Sequence, residues 1–477
     1  MSLFDLGVNI AFVLSLGWYL IANLQWYDYK ISRVVLYHHK KHWHFIYFLF
    51  PFLVYHFIGD IFSYLYIFVF LPSLIWWHYR LDQKLVITPR VKRFFALLLF
   101  FALFQNLVCY LRLSCEAFAV FIPLLLAYLL SYAIEKYLFE IYKKEASKRL
   151  ASIKDLEIIA ITGSYGKTSI KNFIASILST KYRVYATPRS INTIGGIIKD
   201  VNTALPDDTQ IYVCEAGARQ SGDIAVIAEF LEPQRVVVGK VGLAHIEYFK
   251  TLRNIIVTKL EIMRSSRLKK AFVHSSVTDE PHEKVEFFGS SVYDLKADLD
   301  GLSFKMELDG EVVEFETSLL GSFQAINLEV AIKMAKEFKL SNNEIKEALL
   351  KLDAVPHRLQ KIVAGGKIIL DDGYNGNIDG MLEAIRLVST HKGDKVIVTP
   401  GLVESSEELN LELAEAINGV FDTVIVTGKL NRDLFSRALN VKYKFILEDK
   451  SKLQDLLAKE TKTGDIILFA NDAPSFI

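Results

Sequence analysis

The sequence predicts an all-helical, membrane-spanning N-terminal domain followed by two α/β domains. Of these, the central one has a mostly parallel sheet built around a phosphate loop, and the C-terminal one is Rossmann-like. Three observations carry this expectation. Apolar and aromatic runs crowd into the first 140 or so of 477 residues. A strand, a glycine turn and a helix opening on Gly-Lys-Thr meet at Gly163–Thr168. From there to the C-terminus, apolar strands alternate with amphipathic helices.

Hydrophobic residues make up 52% of the chain and mean hydropathy is +0.26, high for a soluble enzyme of this length. Five apolar stretches approach the roughly 20 residues needed to cross a bilayer: Leu6–Leu24, Phe45–Ile58, Ile61–Trp77, Phe94–Leu111 and Ala117–Ala133. The first lacks the basic start and small-residue exit of a cleaved signal peptide. Basic residues follow the first, third and fifth stretches (Lys30, Arg33, Lys40 and Lys41; Arg80, Lys84, Arg90, Lys92 and Arg93; Lys136, Lys143, Lys144, Lys148 and Arg149). By the positive-inside rule the N-terminus lies outside, and residue 135 onward is delivered to the cytoplasm. This predicts a multi-pass protein of a bacterial inner membrane, with the lipid bilayer as a partner and the soluble domains on the side where ATP is. His38, His39, His42 and His44 read as solvated or headgroup-facing. The expected organisation is a membrane domain over 1–140, a linker helix over 141–153, a central domain over 154–355 and a C-terminal domain over 356–477. A net charge of +1 gives no reason to propose nucleic acid as a partner. Cys109, Cys115 and Cys214 form no metal pattern and read as free buried thiols.

The run Leu156–Ile161 reads as a buried strand, and Ile170, Phe173, Ile174 and Ile177 recur at helical spacing after it. Loop and first-turn N–H groups of such a strand–turn–helix face an anion, and the helix dipole adds to them. Gly163, Ser164, Tyr165, Gly166, Lys167, Thr168 and Ser169 are therefore the candidate phosphate cradle. Lys167 would reach the β/γ-phosphates and the Thr168 hydroxyl would hold Mg2+. The loop is the short Gly-x-x-Gly-Lys-Thr; the glycine of the longer general phosphate loop would fall at Ile161.

Further strands are expected over Tyr182–Ala186, Thr209–Cys214 and Gln234–Val241. Glu215 at the tip of the second is well placed for Mg2+. In the C-terminal domain, strands Lys395–Thr399, Thr423–Val426 and Ile466–Phe469 alternate with helices Glu407–Asn418 and Lys452–Ala458.

Seen together, the ordered motifs resemble the Mur ligases, ATP-dependent amide ligases of peptidoglycan precursor synthesis. The motifs are Thr162–Ser169, Asn192-Thr193-Ile194-Gly195, Glu215-Ala216-Gly217-Ala218, Ala244-His245-Ile246-Glu247, Lys259-Leu260-Glu261-Ile262, Gly321–Asn327, Val355–Leu359 and Asp371–Asn377. The resemblance implies ATP and Mg2+ as cofactors and nucleotide and peptidoglycan-precursor peptides as substrates. It implies Glu215 and His245 as metal ligands beside Thr168, and Lys259 as a lysine carried as a carbamate, which would also reach the metal. Asn192 would lie near phosphates or substrate. Asn327, Arg358, Asp372, Tyr374, Asn375 and Asn377 would complete the ATP site. The expected catalytic set is Lys167, Lys259, His245 and Arg358.

The implied reaction is amide formation through an acyl phosphate, adding D-alanyl-D-alanine to a UDP-MurNAc-tripeptide. Three departures bear on the substrates. The apolar domain stands where the family has a UDP-sugar domain, Phe323-Gln324 replaces a His-Asn that meets adenine, and Ala470–Pro474 replaces a Lys-Gly-Ser-Arg. A different or lipid-linked peptide substrate is thus an open alternative, and a membrane P-loop transport ATPase is a more distant one. The sequence leaves the oligomeric state open.

Overall fold

The computed structural model describes residues 3–471 apart from 39, 59–60, 82, 113–119, 190, 243–248, 279, 281, 375 and 404. Two of the candidate site residues, His245 and Asn375, lie outside the described residues, as does Cys115. The chain divides into two units, Met1–Lys143 and Lys144–Ile477.

The first unit is helical. Its long helices are α1 (Leu3–Trp26), α2 (Pro89–Arg112) and α3 (Phe121–Ser152), the last turns of α3 belonging to the second unit. All three are long and apolar enough to cross a membrane by length and composition. The other two apolar stretches are helical but interrupted. A π-turn segment, Phe45–Leu49, precedes Phe50–Ile58, and a second, Tyr66–Phe70, precedes Leu71–Tyr79. Pro51 and Pro72 explain the breaks: each lacks an N–H and its ring crowds the carbonyl four residues back, inside the π segment.

Two expectations for this unit are corrected. His38 is buried: its Nε2 lies 2.9 Å from Asn23 Oδ1, and its Nδ1 accepts the Lys40 N–H. His44 pairs with Tyr19 Oη at 2.8 Å and with the Val34 carbonyl at 3.0 Å. These rings tie the 31–44 segment to α1 because two polar rings inside an apolar bundle need internal partners. Cys109 is disulfide-bonded, whereas Cys214 is the free buried thiol expected of it.

The second unit holds two six-stranded sheets. The first is formed by β1 (Glu157–Thr162), β2 (Val184–Ala186), β3 (Ile211–Glu215), β4 (Arg235–Val238), β5 (Lys270–His274) and β6 (Val285–Phe288). Its order is β2-β3-β1-β4-β5-β6, and every pair is parallel. The strands read as unbroken apolar runs because helices cover both faces. Chief among these helices are α4 (Lys167–Leu178) and α5 (Phe323–Glu337), which share a core with the sheet through Phe173, Ile174, Leu328 and Ile332. A three-stranded antiparallel sheet follows, β7 (Tyr293–Ala297), β8 (Leu302–Leu308) and β9 (Glu311–Thr317).

The last sheet comprises β10 (Gln360–Ala364), β11 (Lys367–Asp372), β12 (Lys395–Thr399), β13 (Thr423–Thr427), β14 (Tyr443–Leu447) and β15 (Ile466–Ala470), in the order β10-β11-β15-β12-β13-β14. All its pairs are parallel except the β10–β11 hairpin. Ligands of open parallel sheets bind beyond the carboxyl ends of the strands. The loops at those ends of both sheets are therefore where a site belongs.

Candidate active site

β1 ends at Thr162 and the chain turns through Gly163–Gly166 into α4. Gly166 precedes the helix with φ +76°, and a Cβ there would come within 2.7 Å of Asn327 Oδ1. Left-handed backbone and close approach together require glycine. Asn327, at the start of the second turn of α5, is held by donating from Nδ2 to Gln324 Oε1 at 2.9 Å. Its place against the loop makes it more than a helix cap. The Ser164 and Tyr165 N–H groups both donate to the Lys240 carbonyl beyond β4, which fixes the loop's curl. The first-turn N–H groups of α4, at Lys167, Thr168 and Ser169, have no partner within the helix. Lys167 folds back over the turn and donates from Nζ to the carbonyls of Gly163 (2.9 Å) and Ser164 (3.2 Å). Burial pushes its ammonium pKa down, Glu215 pulls it up, and Arg358 lowers it further.

Glu215, at the tip of β3, is buried. One of its carboxylate oxygens lies 3.2 Å from Lys171 Nζ yet makes no hydrogen bond among the described residues. Lys171 directs its hydrogen bonds elsewhere, to the carbonyls of Thr187 and Arg189, both at 2.6 Å. The sequence reading passed over Lys171; the available signal is a lysine one turn after Lys167 on an otherwise apolar helical face. Asn192 does not line the phosphate cavity. Its carbonyl accepts the Gly217 N–H at 2.7 Å, and its amide packs on Gly217 in the loop after Glu215.

Lys259 ends the helix Leu252–Leu260 and is buried. Desolvation, with Lys167 adding to it, brings its pKa down to about 7; Asp223 and Glu261 oppose the shift. Glu261 has a structural task. Its carboxylate accepts from the Ser221 hydroxyl and from the Gly222 and Ala225 N–H groups, which caps the helix Asp223–Leu231 and anchors the turn that carries Lys259.

The C-terminal sheet supplies the facing wall. Arg358 sits between His357 (φ +61°) and Leu359 (φ +53°), two non-glycine residues in left-handed backbone. The turn is stapled to the end of β11. His357 Nδ1 meets Asp371 Oδ2 at 2.7 Å, the Leu359 N–H donates to Asp372 Oδ1 at 2.9 Å, and Arg358 Nη1 donates to the Tyr374 carbonyl. Strain held by surrounding bonds in this way marks functional sites. Burial holds the Arg358 guanidinium below its ordinary pKa while Asp372 and Glu215 pull it back up. Asn377 caps the helix Ile378–Ser389, its Oδ1 accepting the Gly380 N–H at 2.9 Å.

These parts enclose a cavity of about 520 Å3. Ser164–Ser169 form one end, and Arg358, Asp372, Tyr374 and Asn377 form one wall. Lys240 and Asp379 also line it and pair across it at 2.8 Å. Phe288, Phe323 and Ile326 are apolar lining residues, and His274, whose ring meets that of Phe288 edge-on at 5.2 Å, lines it too. Sequence reasoning did not find His274 or Phe288, which stand at the tips of β5 and β6 outside any motif. Gly163, Asn192, Glu215 and Lys259 are not among the cavity's lining residues. Glu215 and Lys259 are nonetheless electrostatically coupled to Lys167. Among the described residues no cluster of three or more His, Cys, Asp or Glu side chains forms a metal site.

Residues 161–335 match the family model of the Mur ligase middle domain. The UDP-N-acetylmuramoyl-tripeptide--D-alanyl-D-alanine ligase of Buchnera aphidicola is 26% identical over 301 residues, covering 58% of this chain and 66% of that protein. The enzyme of the same name from Bacillus subtilis is 28% identical over 334 residues, covering 65% and 72%. The chain thus spans about two thirds of the length of these curated relatives. Among solved structures, MurF ligase from Thermotoga maritima in complex with ADP superposes with a TM-score of 0.61 at 24% identity, covering 70% of this chain and 80% of that one.

Proposed function

From a chain that carries a Mur ligase middle domain, we propose an ATP-dependent peptide ligase of peptidoglycan-precursor synthesis. It would join D-alanyl-D-alanine to a UDP-MurNAc-tripeptide through an acyl phosphate. The observation that carries this reading is a single cavity where the phosphate loop of one sheet faces the Arg358 turn of the other. A triphosphate end on one side and a fixed guanidinium on the other suit transfer of a γ-phosphoryl group to a carboxylate.

The acceptor carboxylate attacks the γ-phosphorus and ADP leaves; the amine then attacks the acyl carbon and phosphate leaves. Positioning and charge neutralisation carry such a reaction. Lys167 and the free first-turn N–H groups of α4 bind the phosphates, and Arg358 steadies the transferring group from the opposite wall. Asn327 keeps the loop's shape through its contact with Gly166. The buried Glu215 oxygen, which faces Lys171 Nζ at 3.2 Å without a hydrogen bond, and the Thr168 hydroxyl are hard oxygen donors, which suits Mg2+ held together with phosphates. When bound, Mg2+ would neutralise charge on the phosphate oxygens. Lys259 is suited to carbamate formation because an amine with a pKa near 7 is substantially neutral in the cell, and only the neutral amine adds CO2. The carbamate would add negative charge beside the metal, where an ammonium would repel it.

We further propose that the first unit spans a bacterial inner membrane with the ligase in the cytoplasm. Three long apolar helices and the basic loops support this. So does Cys109, whose disulfide lies at the end of α2 opposite Arg90, Lys92 and Arg93, on the side expected to be oxidising. These helices also favour a second reading, in which the peptide substrate is lipid-linked.

The test is phosphate release by detergent-solubilised full chain. Release that needs ATP, UDP-MurNAc-tripeptide and D-alanyl-D-alanine together, with the joined product by mass, is the expected result. Release with a lipid-linked acceptor alone moves the substrate to the second reading. Release that depends on no peptide rejects both.

A further inference from the structure

We propose that the basic end of the first unit is a docking surface for anionic phospholipid, with headgroup phosphates on Arg80, Lys84 and Arg90 and acyl chains against the exposed apolar side chains beside them. The inference rests on the membrane reading above and adds a lipid preference to it.

Residues 26–44 and 76–93 carry nine lysines and arginines against two acids. The fold gathers both segments at the C-terminal end of α1. His38 and His44 tie the first to Asn23 and Tyr19. Gln25 ties the second: its Nε2 donates to the Val86 carbonyl at 2.9 Å, and its Oε1 accepts the Val86 N–H at 2.8 Å. The cations there are held on rings. Arg90, on the first turn of α2, places its guanidinium 3.5 Å from the centre of the Tyr29 ring. Arg80 lies 4.0 Å from that of Trp76, and Lys84 6.0 Å from that of Tyr79. Stacking uses the face of a guanidinium and leaves its N–H edge for an acceptor. Arg33 and Arg93 are neutralised by Asp28 and Glu135. Arg80, Lys84 and Arg90 make no side-chain hydrogen bond or ion pair among the described residues.

The same end exposes apolar side chains. The helix Ile31–Tyr37 is too short to span a bilayer. It buries Val34 and leaves Val35 and Leu36 more than half exposed. The Gln25 clamp, which engages both backbone groups of Val86, fixes a second apolar pair, Val86 and Ile87, exposed to the same degree. Apolar surface fixed beside unneutralised cations fits one occupant, the boundary between headgroups and acyl chains of an anionic leaflet. Phosphates meet the cations there, and chains cover the apolar groups. A soluble acidic partner would leave the apolar groups wet, and a zwitterionic lipid brings a cation of its own with every phosphate.

The experiment is native mass spectrometry of the full chain, released from detergent after incubation with equal amounts of phosphatidylglycerol and phosphatidylcholine bearing the same acyl chains. Wild type is expected to carry phosphatidylglycerol in about tenfold excess, since each cation near an anionic surface contributes roughly fivefold at most. The combined substitution Arg80→Gln, Lys84→Gln and Arg90→Gln is expected to bring the ratio within about twofold of one. Arg80→Lys with Arg90→Lys keeps the charges and guards against loss through misfolding; it is expected to keep most of the preference. Equal binding of the two lipids by wild type, or a preference that survives the triple substitution, overturns the proposal and leaves the membrane reading standing. Displacement of phosphatidylglycerol by a trace of a polyprenyl diphosphate overturns it in favour of a lipid-linked substrate. A chain that carries neither lipid and stays in solution without detergent overturns the membrane reading and this inference with it.

Discussion

The phosphate loop and the apolar lining of the proposed nucleotide cavity are built in opposite ways. The loop's contribution comes from one stretch of chain, Ser164–Ser169, whose backbone N–H groups, lysine and helix start are all local. The apolar lining is gathered from three places: Phe288 at the tip of β6 with the His274 ring against it, His274 itself ending β5, and Phe323 with Ile326 on α5. The difference teaches where each kind of energy is used. Charge on phosphates grows and moves during reaction, so groups on the loop act on the transition state. In the proposed reaction the base does not react, so contacts to it would set affinity.

That contrast predicts a kinetic split. Lys167→Ala should have the largest effect, lowering kcat roughly 10²–10³-fold with little change in ATP KM, as measured by phosphate release. A pure KM effect would place Lys167 in ground-state binding and erase the contrast. Next, Lys259→Arg keeps a cation but cannot form a carbamate; turnover should fall about 10–100-fold. Wild-type activity should drop in CO2-depleted buffer and return with bicarbonate, whereas the variant should ignore bicarbonate. In the apolar lining, Phe323→Ala should raise ATP KM about tenfold and leave kcat nearly unchanged, since base stacking contributes about 1–3 kcal/mol. A matching loss in kcat would mean that loop and lining are not separable. Smallest is Glu261→Gln, which keeps the shape but weakens the cap on Asp223–Leu231. About 1 kcal/mol of stability should be lost, seen as a lower thermal midpoint, with a modest loss of turnover through Lys259.

The same contrast governs what could be read from the sequence. Lys167, Thr168 and Glu215 were legible because a buried apolar strand, its tip residue and the following helix are contiguous signals. The Asp371–Asn377 and Val355–Leu359 segments were legible as motifs. Their stapling was not, because the His357–Asp371 and Leu359–Asp372 bonds join residues on different elements. His274 was illegible for the same reason, amplified: nothing adjacent to it signals a cavity. Lys171 reads as an ordinary helical lysine until Thr187, Arg189 and Glu215 close around it. In the first unit, hydropathy located the apolar helical stretches but not the short helix Ile31–Tyr37 between the first two. The π-turn breaks and the inward His38 and His44 depend on how proline and polar rings are accommodated inside a bundle.

In the proposed reaction the acceptor's carboxylate, held in this cavity, takes the γ-phosphoryl group before the amine arrives. The direct test supplies the acceptor peptide with its reacting carboxylate labelled with 18O, then analyses the released phosphate by mass spectrometry. An acyl phosphate leaves one carboxylate oxygen on phosphorus, so the expected phosphate carries one 18O per turnover. Phosphate free of label, with its new oxygen drawn from water, would contradict it and make the chain an ATPase whose hydrolysis serves another end.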